Sequence, residues 1–90
     1  MVMEKISGRL VVDMFPDGTV CLIFLPTVDQ RNASPVTVED IYAAELLFMT
    51  CGLTADRAAA LRDEVKRNKV ASTDVSVDEE VAAMFRYTRP

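Results

Sequence analysis

The sequence contains no histidine and no tryptophan among its 90 residues. Histidine is the commonest general base in enzymes, the commonest zinc ligand and the side chain that titrates closest to neutral pH. Its absence excludes most hydrolytic and zinc-dependent chemistry. The two cysteines, Cys21 and Cys51, are too few for a disulfide framework or a four-ligand zinc site. We expect both to be small buried hydrophobic residues in a protein of a reducing compartment.

Glycine is also scarce, and its three copies are too scattered to form a phosphate-binding loop. Adjacent carboxylates occur in three places, at 39–40, 63–64 and 78–80. Each group is expected on a helix, where neighbouring side chains point about 100° apart and do not converge on one substrate. We therefore predict a non-enzymatic protein with no catalytic residue, no cofactor and no assigned metal site. A magnesium or calcium site built from carboxylates alone stays open at this point.

Basic residues are outnumbered, since 10 Lys and Arg face 14 Asp and Glu, which gives a net charge of −4. Nucleic-acid-binding proteins usually carry a basic balance or a basic face, so a nucleic-acid partner is not expected. Long apolar runs are missing too, because the longest uncharged run covers only 18–28 and contains Pro26. Glu4 and Lys5 interrupt the N-terminus, which lacks a signal-peptide core. We expect a cytoplasmic protein without a membrane segment.

The composition that is present indicates one folded domain. Half of the residues are apolar, well away from the range typical of disordered chains. A chain of this length is enough for a single small domain, here residues 1–90, and not for two. It buries only about 60–65% of its unfolded surface, so its core is small unless a partner adds to it.

The N-terminal third has the pattern of a β-hairpin. Polar and apolar residues alternate along 6–15, and a second run, 19–25, is apolar on both faces. Between them, Pro16, Asp17 and Gly18 suit consecutive positions of a tight turn. With the even-numbered residues of the second run facing the core, the odd-numbered residues, including Ile23, point outward. This outward row needs a cover from the chain or from another subunit.

Three helices are predicted after the hairpin, over 38–51, 55–67 and 77–87. Thr37 and Thr54 have the position of N-cap residues for the first two, and Ser76 with Glu79 resembles a capping box for the third. Residues 70–75 are interpreted as a loop, although Val75 and Val77 leave room for a short extended piece. The predicted fold is α+β: a two-stranded antiparallel hairpin packed on three helices in the order ββααα, with the apolar helix 38–51 at the centre.

The distribution of apolar residues predicts self-association. Helix 38–51 is apolar around most of its circumference, and such helices are usually buried. A chain of this size has too little material to cover both this helix and the second strand, so we expect a homodimer. Tyr42, Phe48 and Met49, with Ile23, are the predicted interface residues. The dimer would form through the helix or through the exposed edge of the hairpin.

The polar loop between the two prolines, Pro26 and Pro35, is the predicted contact for a different protein, through Asp29, Gln30, Arg31 and Asn32. The leading hypothesis is a small protein-interaction module, such as a regulator, an adaptor or an accessory or inhibitor protein, that acts by binding a partner protein. The alternative is a helix-turn-helix DNA-binding regulator built from helices 38–51 and 55–67, with Arg57 and Arg62 exposed.

Overall fold

The structure, a computed structural model, describes residues 5–27 and 34–87. Within these ranges it contains four strands and three helices. In chain order the elements are β1 (Ile6–Met14), β2 (Val20–Pro26), β3 (Val36–Val38), α1 (Ile41–Thr50), α2 (Ala55–Asn68), β4 (Val70–Val77) and α3 (Glu79–Met84). The strands form one antiparallel sheet in the order β3-β2-β1-β4. The α+β class is confirmed, whereas the order ββααα is wrong because two further strands are present.

The hairpin of β1 and β2 is confirmed. The Phe15 backbone N–H donates to the carbonyl of Thr19 at 2.8 Å and closes the turn. Gly18 takes the left-handed conformation that the turn requires, with φ of 93°. The Asp17 carboxylate accepts hydrogen bonds from the Thr19 hydroxyl and backbone N–H, and these bonds lower the pKa of Asp17.

The segment predicted as the start of the first helix is instead the edge strand β3. Its three β-branched residues pair antiparallel with the beginning of β2, where Thr37 lies opposite Cys21. Thr37 is therefore not an N-cap. Asp40 caps α1 instead, because its carboxylate accepts from the backbone N–H groups of Tyr42 and Ala43 at 2.9 and 2.8 Å.

The segment predicted as a loop at 70–75 is the first part of β4. Its odd-numbered residues face the helices and its even-numbered residues face away, so that Ala71, Val75 and Val77 are buried. β4 pairs with the side of β1 that the hairpin leaves free, from Ile6 opposite Val77 to Asp13 opposite Val70. The pairing of β4 with the distant strand β1 was not predicted from the sequence.

The second helix begins where predicted, with the Thr54 hydroxyl accepting from the Arg57 backbone N–H. It ends at Lys69, whose left-handed φ of 67° turns the chain directly into β4. The third helix is shorter than predicted. The Asp78 carboxylate caps it by accepting from the Val81 N–H, whereas Ser76 lies in β4.

All three helices lie on one face of the sheet. The core between them and the strands is closed by large side chains from every layer, including Leu10, Leu22, Phe24, Phe48 and Phe85. Gly8 sits directly under the Phe24 ring, since a Cβ at this position would lie 2.6 Å from a ring atom. The ring of Phe24 meets that of Phe85 with centroids 6.1 Å apart, which anchors the end of α3.

Candidate interaction surface

A stripe of exposed apolar side chains runs along α1. Tyr42, Leu46 and Met49 are 60%, 64% and 37% exposed, and their spacing of i, i+4 and i+7 places them on one helix face. We call these three residues the α1 stripe. The opposite side of the helix supplies Ile41 and Phe48 to the core. Helix α1 is therefore apolar on a buried face and on an exposed one, and the chain itself leaves part of this apolar helix uncovered.

Contacts from α2 hold the helix that carries the stripe. Arg62 donates to Glu45 of α1 at 2.8 Å and to Asp63 of its own helix at 3.1 Å. These hydrogen bonds, with that to Glu45 the stronger influence, raise the pKa of Arg62. The ammonium of Lys66 lies 5.8 Å from the centre of the Tyr42 ring, within the range of a cation–π contact. The Arg62–Glu45 ion pair and the Lys66–Tyr42 contact thus hold the helix that carries the stripe against α2.

The predicted interface residues fall in different places. Tyr42 and Met49 belong to the α1 stripe, whereas Phe48 is fully buried in the core of its own chain. A second copy cannot reach Phe48 without unfolding the helix. Ile23 is half-buried on the opposite face of the sheet, far from the stripe. Residues 29–32, the predicted contact for a different protein, lie outside the described residues.

The sheet face opposite the helices is mixed in character. Its centre is apolar, where Ile23 of β2 lies across from Val11 of β1, and both are half-buried. Its margin is polar, since Arg9 donates to the Ser72 hydroxyl at 3.0 Å and to the Asp74 carboxylate at 2.9 Å. No helix within residues 5–27 and 34–87 covers this face. Its central apolar groups, Val11 and Ile23, are half-buried, whereas Val70 at one end of β4 is 50% exposed.

Part of each edge of the hairpin is paired within the chain. β4 pairs with β1 over residues 6–13, whereas β3 pairs only with residues 20–22 of β2, so that 23–26 have no strand partner on that side among the described residues. The edges of the sheet are β3, which has three residues, and β4, which has eight. The exposed edge predicted for the hairpin is therefore reduced to residues 23–26 of β2, and β3 and β4 form the remaining edges of the sheet.

Two cavities lined by described residues lie beside the edge strand β4. A cavity of about 190 Å³ is lined by Arg57, Ala60, Leu61, Glu64, Ser72 and Thr73. Arg57 also lines a larger cleft of about 550 Å³, together with 51–53 and 74–76. The Arg57 guanidinium donates to the Thr73 hydroxyl at 3.3 Å and so links α2 to the edge strand.

Three observations in the described part of the chain concern the residues considered for metal binding, catalysis and DNA recognition. It contains no group of three or more Cys, Asp or Glu side chains placed to hold a metal ion. Burial raises the pKa of Cys51 to about 11, which keeps its thiol protonated and unreactive at neutral pH. Of the two arginines that a helix-turn-helix would present, Arg62 is paired with carboxylates and Arg57 reaches back to β4.

Two features of this surface were missed from the sequence. Leu46, the most exposed residue of the stripe, follows Tyr42 by four positions and precedes Met49 by three, which is the signal that places all three on one face. The edge strand β4 had a weaker signal in the spacing of Val75 and Val77. In both cases the surface becomes visible only when the sheet fixes which side of each element is buried.

Comparisons of the chain with family models, with curated proteins and with solved structures found no match. Among the described residues, no helix has the length and apolar character needed to cross a membrane. The function of this chain is therefore inferred from its own geometry.

Proposed function

We propose that this chain is a small non-enzymatic protein-interaction module that binds a partner protein through the α1 stripe and works as a homodimer. The observation that carries the proposal is the exposure of three large apolar residues, Tyr42, Leu46 and Met49, on one face of a helix whose other face fills the core. Isolated exposed apolar residues are ordinary on a protein surface, whereas a contiguous row is typical of a binding site.

The form of the stripe favours an amphipathic helix as the partner element. The distance from Tyr42 to Met49 is two helical turns, or about 10 Å along the axis, which matches the anchor spacing of a helix laid against another helix. Tyrosine and methionine are enriched in such contacts, and methionine adapts its shape to the side chains it meets. The Glu45–Arg62 pair beside the stripe supplies a polar rim.

The proposal places the domain in the cytoplasm, where its two free cysteines stay reduced. A cytoplasmic regulator, adaptor or inhibitor needs only a rigid contact surface, and the hydrogen-bonded ion pair between Arg62 of α2 and Glu45 of α1 helps to provide one.

The test replaces Leu46 by glutamate. The side chain lies on the surface, so Leu46→Glu leaves the core intact while it puts a charge in the centre of the stripe. We expect proteins that bind the wild-type chain in an affinity pull-down from its native cells to be lost. With a purified partner, the affinity measured by calorimetry falls by about 100-fold, as expected when a charge is buried unpaired at a contact.

The matched control is Met84→Glu, which makes the same kind of change at an exposed apolar residue of α3. This variant should bind as the wild type does. Equal capture of all partners by Leu46→Glu and wild type would refute the role of the α1 stripe.

A further inference from the structure

The outer edge of β4 presents backbone groups that the described chain leaves without a strand partner. The Met14 N–H donates to the Lys69 carbonyl, and the Thr27 N–H donates to the Ser7 carbonyl. In an antiparallel ladder the bonding direction alternates, so even-numbered residues of β1 bond to β4 and odd-numbered ones to β2. The odd-numbered residues of β4 thus bond inward. The N–H and C=O groups of Ser72 and Asp74, two of its even-numbered residues, point outward from the edge.

This edge lacks several of the features that natural proteins use to prevent pairing between edges, namely lysine, proline, a bulge and a very short strand, and its one charged residue is Asp74. β4 has eight residues, contains neither lysine nor proline, and pairs with β1 from residue 70 to residue 77 without a bulge. The other edge, β3, has three residues and follows Pro35. An edge of this length is open to a strand partner that can pair the Asp74 carboxylate.

We propose that the partner is a second copy of this chain, whose β4 pairs antiparallel with the first across a two-fold axis at Thr73. The inference rests on the proposed function in one respect, because it gives the proposed homodimer its interface. The two sheets would join into one sheet of eight strands. The α1 stripes would lie away from the junction, since α1 packs over β2 and β3 and α2 over β4 and β1.

The charges on the helix-free face favour this register over one centred on Asp74. With Thr73 on the axis, Ser72 of each copy lies opposite Asp74 of the other. Arg9 already donates to both side chains within one copy, so it comes within reach of the second carboxylate. A register centred on Asp74 would instead place two carboxylates opposite each other, which is unfavourable.

The charges on the helical face are complementary in the same arrangement. Arg57, Ala60 and Glu64 line the cavity beside β4 and follow one another along one side of α2. A two-fold axis between two antiparallel copies of α2 puts Arg57 of one opposite Glu64 of the other, twice. The small side chain of Ala60 lies between them and allows the helices to approach to the usual distance of about 8–10 Å.

The pairing is confined to residues 71–75. Gly52, in the turn between α1 and α2, lies close to the end of the edge, because a Cβ there would be 3.2 Å from the Ser76 carbonyl oxygen. Ser72 and Asp74 of the two copies would therefore supply the main backbone hydrogen bonds. A contact of this size is expected to be reversible and to depend on concentration.

The test is a matched pair of proline substitutions at the two edges. Ser72→Pro removes an outward N–H from β4, and Thr37→Pro removes the corresponding outward N–H from β3. Proline is tolerated where a strand N–H points away from the sheet. In sedimentation equilibrium of the full chain, we expect Ser72→Pro to weaken dimerisation by about 30-fold, since two interchain hydrogen bonds are lost. Thr37→Pro should leave the dimer unchanged.

Charge reversal gives a second test that does not depend on proline. Arg57→Glu and Glu64→Arg each place like charges across the axis and should weaken the dimer by about ten-fold. The double variant restores opposite charges and should restore the wild-type dissociation constant. A partner other than a second copy would not show this rescue. Circular dichroism checks that every variant is folded.

Three results would overturn the inference. The first is a wild-type chain that stays monomeric at about 100 µM, a concentration at which even a weak specific dimer is populated. The second is a dimer unaffected by Ser72→Pro and by the charge reversals. The third is a dimer abolished by Leu46→Glu and not by Ser72→Pro, which would move the interface to α1. The role of the α1 stripe in partner binding is tested separately: it is refuted if Leu46→Glu captures the same partner proteins as the wild type.

Discussion

The two edges of the sheet differ in how they limit contact with other chains. β3 is three residues long and follows a proline, so it offers little template for another strand. β4 is eight residues long, regular and free of lysine and proline. Both strands are rich in β-branched residues and belong to the same sheet. The difference teaches that strand length and the direction of the outward N–H groups, more than apolar content, determine where this sheet can be extended.

The largest predicted loss of stability comes from moving the proline substitution in β4 by one residue, from Ser72 to Thr73. The Thr73 N–H bonds inward to β1, whereas the Ser72 N–H points outward. Thr73→Pro breaks the ladder and leaves the carbonyl of Leu10, a fully buried residue, unpaired, so we expect it to lower the free energy of unfolding by about 3 kcal/mol. Ser72→Pro should cost far less in urea denaturation at concentrations where the chain is monomeric. Equal losses for the two variants would contradict the assigned bonding direction.

A smaller loss of stability is expected for a substitution in the central strand β1, with which the substitutions at the two edges can be compared. An added methyl group in Gly8→Ala collides with the Phe24 ring and with the carbonyl of Leu25. Because β1 is paired on both sides it cannot shift easily, and we expect a loss of about 2 kcal/mol in the free energy of unfolding. Thermal and urea denaturation measure it. A neutral Gly8→Ala would show that β1 and β2 adapt as readily as an edge strand.

The smallest effect concerns the closed end of the β4 edge, where Cys51 precedes Gly52. Burial raises the pKa of the Cys51 thiol from 9.0 to about 11 in the folded chain. A raised pKa means that stability is fully present below pH 9 and is lost as the pH rises toward 11. Between pH 8 and pH 10 we expect a loss of about 1 kcal/mol that Cys51→Ala removes.

Urea denaturation of the wild type and of Cys51→Ala at several pH values isolates this contribution from that of other titrating groups. The Cys21→Ala variant is the control, because Cys21 is only half-buried on the other face of the sheet. Parallel pH profiles for wild type and Cys51→Ala would contradict the burial of the Cys51 thiol in the α1–α2 turn.

The hairpin was predictable because its information is local. Pro16, Asp17 and Gly18 specify the turn through their own backbone preferences, and the alternating residues on either side fix the strands. The start of α2 was predictable for the same reason, since the Thr54 hydroxyl caps the helix within three residues.

The two later strands were not predictable in this way, since each depends on a distant partner. Thr37 and Ser76 have side chains suited to helix caps, but pairing with β2 and β1 draws them into the sheet. Asp40 and Asp78, two to three residues further on, then become the caps. Local preference allowed either position, and the sheet decided between them.

The candidate site was predicted in part. The excess of apolar residues in α1 drew attention to Tyr42 and Met49, which the structure places on one exposed stripe, and their role as interface residues stays a prediction. Phe48 was predicted as an interface residue on the same grounds of composition, but it points into the core. The packing of α1 against the sheet determines which side of the helix is buried. Helical periodicity identifies the faces of such a helix without telling which face meets the sheet.

Hydrogen exchange at the two edges tests the central claim most directly. In the proposed dimer the outward N–H groups of Ser72 and Asp74 donate to a second copy, whereas that of Thr37 stays in solvent. We predict amide exchange, followed by NMR, that becomes slower at Ser72 and Asp74 as the protein concentration rises and stays fast at Thr37 throughout. Fast exchange at Ser72 and Asp74 in a sample that sedimentation shows to be dimeric would contradict the account.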